Sequence, residues 1–171
     1  MITTNLWHLD HQHDMLIELG RLTIRWAEAD RLMVGILDAT LENRAAAQNI
    51  VFAGSNAGQQ RFNAFVETIG TSGLPQEERQ SIIKHIGRLK SLYGARNALT
   101  HEPIFTDIRF DNGKLKFGAR SLTRDGSSRP MDVAKIKAHI RKVDAILSDL
   151  EDIHDQMVAD RHDPDDEPVS R

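Results

Sequence analysis

The chain has 171 residues, 40% of them hydrophobic and 27% charged, which is enough apolar material for one ordinary domain and argues against global disorder. Aromatics make up only 5%, so the core must be built from Leu, Ile, Val, Ala and Met, which suits packed helices better than a β-sandwich. A net charge of −3 and a pI near 6.2 exclude a protein that coats nucleic acid through its overall field. With no cysteine there are no disulfides, thiolate metal sites or Cys nucleophiles, and no apolar run reaches the ~18 residues of a membrane span. Residues Met1 to Asp10 lack the basic-then-apolar pattern of a signal peptide, so the expected location is the cytoplasm, away from any membrane.

Residues 5 to 43 carry apolar side chains at steps of three and four, including Met15, Leu16, Leu19, Leu22, Trp26, Met33, Ile36 and Leu37. This predicts one long helix, with a break near Gly20 or Gly35 as the alternative. A short helix from Arg44 to Ala53 follows. After the break at Ala53-Gly54-Ser55-Asn56, Ser55 or Asn56 can cap a helix that buries Phe62, Phe65, Val66 and Ile69. Gly70 to Pro75 reads as a loop, and Pro75 opens a helix that continues through Ile82, Ile86, Leu89 and Tyr93 to about His101, where Pro103 stops it. Asp111-Asn112-Gly113 joins two alternating runs, a hairpin at about 105–118 that is expected to lie on the helices. Ser127 to Pro130 then starts the last helix, carrying Ile136, Ile140, Val143, Leu147 and Leu150. The fold class is therefore mainly all-α: an up-and-down bundle of four to five helices over residues 1–159, with a β-hairpin inserted before the last helix. Residues 160–171 read as an acidic, disordered tail.

The stretch that can carry chemistry runs from Tyr93 to Pro103. Ile82, Ile86, Leu89 and Tyr93 form a stripe on one helix face, and its next steps are Asn97 and His101. An apolar face thus turns polar in its last two turns, and polar groups on such a stripe need partners. Asn97 lies within reach of His101 and can fix its tautomer by a hydrogen bond. Arg96 stands five residues before His101, with a side chain long enough to swing to the same place. A guanidinium, an amide and an imidazole that converge suit a phosphodiester, because Arg grips phosphate oxygens and His moves protons near neutral pH. The same residues also have a plain structural role open to them, with Arg96 bonding the last carbonyls and His101 favoured at a helix C-terminus.

Arg96-Asn97-Ala98-Leu99-Thr100-His101 resembles the R-x-x-x-x-H motif of HEPN domains, in which Asn is a common residue after the Arg. The setting, a helical bundle of about this length with the motif late in a long helix, is similar too, whereas the hairpin is not part of the resemblance. The resemblance implies a metal-independent endoribonuclease without cofactors. It would work as a homodimer with a composite site, and the RNA 2′-hydroxyl would attack the adjacent phosphate. His101 would be the general base or acid, Arg96 would stabilise the phosphorane charge, and Asn97 would position His101. Family members serve in toxin–antitoxin and defence or stress systems, which implies an antitoxin or regulatory protein as a further partner. Others bind RNA, nucleotides or proteins without catalysis.

Lys84, His85, Arg88 and Lys90, with Tyr93, form a basic run before the motif, readable as an RNA-contact edge or as a solvated face. His8, His11 and His13 lack the further ligand that a metal site would need. His154 falls on the last helix's apolar stripe and reads as a core or interface histidine. Gly113 and Gly118 belong to turns, since no phosphate-loop pattern occurs.

Overall fold

Apolar residues at helical spacing produce one uninterrupted helix, α1 (His13–Leu41), with no break at either glycine. The computed structural model describes residues 13–52, 58–112 and 114–161. At Gly35 the helix needs a missing side chain, because a Cβ would stand 2.7 Å from the His154 ring. The helix ends where Glu42 turns left-handed (φ 53°), its N–H still bonded to the Asp38 carbonyl. Asn43 then caps α2 (Arg44–Phe52) by accepting the Ala46 N–H at 3.0 Å. The predicted capping by Ser55 or Asn56 lies outside the described residues. The chain continues in α3 (Gly58–Gly70) and α4 (Gln76–His101), with Pro75 just ahead of α4 and accepting the Arg79 N–H.

After α4 the chain forms an antiparallel sheet in the order β1 (Ile104–Asp111), β2 (Lys114–Leu122) and β3 (Ser128–Met131), and then α5 (Val133–Arg161). The fold is thus mainly α-helical, with five helices among the described residues and a small sheet before the last of them. Three details depart from the expectation. Ser127 to Pro130 does not start the last helix: residues 128–131 pair with 119–122 as an edge strand, where Pro130 is tolerated, and Asp132 caps α5 one turn later through the Ala134 N–H. The hairpin does not lie flat on the helices, because Ile104, Phe105, Ile108 and Phe110 stay exposed and the third strand supplies the added pairing. Helix α5 also runs through Asp160 and Arg161, so the rest of the tail expectation falls on residues outside those described.

The residues divide into two compact units. The first comprises residues 1–26 and 92–143, and its core is Met15, Leu22, Trp26, Ile136, Ile140 and Val143. Glu18 is buried there, with its carboxylate held by Arg21 at 2.8 Å and by Lys137 of α5 at 3.8 Å. Leu16 breaks the expected pattern by facing outward, 45% exposed, as do Ile17 and Ile24. The second unit comprises residues 27–91 and 144–171 and buries Met33, Ile36, Leu37, Phe62, Phe65, Ile69, Ile82, Ile86 and Leu89. Polar ties join its helices: Arg61 to Asp30 at 2.9 Å and Arg31 to Glu151 at 3.7 Å. None of the described helices is long and apolar enough to cross a membrane.

Candidate functional site

Along α4 the stripe passes from buried (Ile82, Ile86, Leu89) through half-buried (Tyr93, Asn97) to exposed (His101), so its polar end reaches solvent. Arg96 folds over this end. One of its terminal nitrogens, Nη1, lies 3.0 Å from Asn97 Oδ1 and 2.9 Å from His101 Nε2. A guanidinium has only donors, so in this contact His101 Nε2 is the accepting nitrogen. The convergence of the three residues is therefore as expected, but the link is different. Asn97 does not bond His101 directly. Arg96 stands between them, because only its side chain is long enough to bridge both acceptors, and Asn97 orients the guanidinium rather than the ring.

A column of rings supports Arg96 from below. Its Cζ lies 5.8 Å from the centre of the Tyr93 ring, a cation–π contact. Tyr93 meets Trp26 of α1 edge-on, with centroids 5.7 Å apart. Trp26 stacks in turn on His139 of α5, with centroids 6.4 Å apart and planes 27° off parallel. Trp26 and His139 are buried, and Trp26 Nε1, His139 Nε2 and Arg96 Nε lack a hydrogen-bond partner. Burial, with Lys142 nearby, pushes the His139 imidazole below its usual range and keeps it neutral. His139 escaped the sequence reading. Its only signal was its place three residues after Ile136, beside the apolar stripe of α5.

The end of α4 is fastened to the sheet that follows it. Glu102 accepts two 2.9 Å bonds from Arg129 of β3, and the Leu122 N–H donates to the Pro103 carbonyl at 2.9 Å. At the β2–β3 turn, Gly126 is left-handed (φ 81°) and the Asp125 carboxylate accepts from Thr123 and Ser127. Those bonds lower the Asp125 pKa to about 2.

The basic run before the motif is engaged elsewhere. His85 and Arg88 reach Asp149 of α5 at 3.2 and 3.3 Å, and Lys90 donates to Asn63 of α3 at 2.7 Å. Lys84 is exposed. These four residues belong to the second unit, and Tyr93 to the first, where it supports Arg96. His154 is half-buried against Gly35, with Nδ1 3.2 Å from Asp155. Among the described residues no group of three or more His, Cys, Asp or Glu is placed to hold a metal ion. His8 and His11 lie outside those residues.

The charge is divided unequally. Among the described residues the first unit holds 13 Lys and Arg against 7 Asp and Glu, a balance of +6, and the second 8 against 13, a balance of −5. The motif stands in the positive unit. Comparison of the chain with models of protein families, with curated proteins and with solved structures gave no match.

Proposed function

We propose that the chain is an RNA-cleaving enzyme, and more particularly a metal-independent endoribonuclease of the HEPN type, acting in the cytoplasm as a toxin or as a defence or stress nuclease. The observation that carries this reading is the single Arg96 guanidinium joining Asn97 and His101 at the exposed end of α4. A phosphodiester at this place would draw the guanidinium onto its oxygens, since a charge-assisted contact outcompetes a neutral imidazole acceptor. That movement frees His101 Nε2 to take a proton. His101 removes the proton of the 2′-hydroxyl, the 2′-oxygen bonds to phosphorus, and Arg96 balances the charge of the phosphorane. The P–O5′ bond then breaks, and the leaving 5′-oxygen needs a proton. One imidazole cannot donate on that side while it accepts on the other, so a homodimer in which His101 of the partner subunit serves as the acid completes the site. The products are a 2′,3′-cyclic phosphate and a 5′-hydroxyl.

The positive charge of the unit that carries the motif supports an anionic substrate. The runner-up is a HEPN-like module that binds RNA, a nucleotide or a partner protein such as an antitoxin without cutting. In its favour, Arg96 occupies the nitrogen that a base would use. The test that separates them is an RNA with one 2′-deoxy position at its cleavage point. The enzyme reading expects cyclic-phosphate ends from the all-ribose strand and no cut at the deoxy position. A cut there, or intact all-ribose RNA after long incubation, rejects it.

A further inference from the structure

We propose that one face of the sheet is a phosphate-gripping surface that holds single-stranded RNA beside the candidate cleavage site. The inference rests on the RNA reading above and adds where the flanking strand lies. The β1–β2 register puts Phe105, Asp107, Arg109 and Asp111 opposite Arg120, Gly118, Lys116 and Lys114, so these eight share a face. Four cations stand there against two carboxylates. Arg109 pairs with Asp107 at 2.6 Å and Lys116 pairs with Asp111, but both cations keep well over half of their side chains in solvent and can re-pair with phosphates. Strand β3 pairs β2 only from Ala119 onward. Next to its end lies a cleft of about 240 Å³ lined by Asp107, Arg109, Lys116, Gly118, Pro130 and Met131.

Gly118 lines this cleft opposite Asp107 and puts no side chain into it. Phe105, 42% exposed on the same face, offers a ring for a base to stack on. The face is also fixed to the motif. Strand β1 begins three residues after His101, and the Glu102–Arg129 and Pro103–Leu122 bonds clamp the sheet to the end of α4. Arg109 lies five residues along β1 from Ile104, about 17 Å at ~3.3 Å per residue. A strand cut at His101 therefore reaches these cations within a few nucleotides. Uneven charge argues the same way, because the unit whose described residues sum to +6 carries both the motif and the sheet.

The test measures binding rather than cutting. Full-length His101→Ala is titrated with a labelled single-stranded oligouridine, by fluorescence polarisation, between about 50 and about 200 mM salt. The same is done with Arg109→Gln/Lys116→Gln added. Losing two phosphate contacts should lower the slope of log affinity against log salt by about 1.4, equally for oligouridine and oligoadenosine. Arg31→Gln/Arg44→Gln, two exposed cations of the second unit, should leave the slope unchanged. An unchanged slope in the sheet variant, or no binding by His101→Ala at low salt, overturns the grip. So does oligoglutamate competing as well as RNA, which would make this a surface for an acidic protein. If binding depends on the sheet but wild type never cuts, the grip stands and the nuclease reading falls. If wild type cuts and the sheet variant binds as before, the reverse holds.

Discussion

His139→Phe separates a histidine that the fold must tolerate from the one that the site uses. His139 is 8% exposed, stacks on Trp26, and leaves Nε2 without a partner. Phenylalanine keeps the ring on Trp26 and removes the orphaned nitrogen, whose burial costs about 1–3 kcal/mol. A second gain depends on pH. The folded His139 pKa lies below its ordinary 6.5, so the unfolded chain binds the proton more readily and wild type loses stability as pH falls from 6.5 toward the folded value. If the fold excludes the proton entirely, that loss reaches about 2 kcal/mol between pH 7 and 5, at ~1.4 kcal/mol per pH unit. The variant should therefore be more stable at pH 7, and its advantage should widen by up to about 2 kcal/mol at pH 5. Urea denaturation followed by circular dichroism at both pH values measures this, and the difference between the two proteins cancels every other titrating group. RNA cleavage should be unaffected. An advantage that is the same at both pH values, or a variant less stable at pH 5, refutes the assignment of a neutral buried imidazole.

Other substitutions probe the packing and the support of Arg96. Gly35→Ala drives a Cβ to 2.7 Å from His154 Nε2 and should cost ~1–3 kcal/mol in denaturant melts, a loss that His154→Ala in the same chain should largely restore. Tyr93→Leu removes the ring beneath the guanidinium and should lower kcat by about tenfold to a hundredfold with KM little changed, while Tyr93→Phe stays near wild type. Arg96→Lys keeps the charge but loses the planar group that spans Asn97 and His101, so single-turnover cleavage should fall sharply with the melting temperature near wild type.

Helices were readable from the sequence because their signals are local and repeated: α1 and α4 carry their cores at steps of three and four, and Pro103 marks where α4 stops. The motif was readable for a related reason, since helical spacing alone puts Tyr93, Asn97 and His101 on one face. Side-chain reach was not. Whether Asn97 or Arg96 meets His101 depends on rotamers, and a donor-only guanidinium between two acceptors is a tertiary solution. Strand β3 was missed because Ser128 to Met131 has no alternation long enough to register, and Pro130 reads as a helix start when its strand partner is unknown. The ring column from His139 to Arg96 joins α1, α4 and α5, positions far apart in the chain. The charge division was hidden for a similar reason, because each unit is assembled from two separate stretches and only their spatial grouping reveals a +6 among the described residues of one unit in a chain of −3.

The most direct measurement is cleavage of single-stranded RNA by wild type and His101→Ala, both in excess EDTA. If His101 moves a proton in the rate-limiting step, wild type cuts at full rate with the chelator present and His101→Ala is slower by about 10²–10⁴-fold. Equal cutting by the two proteins, or loss of wild-type cutting in EDTA, contradicts the account.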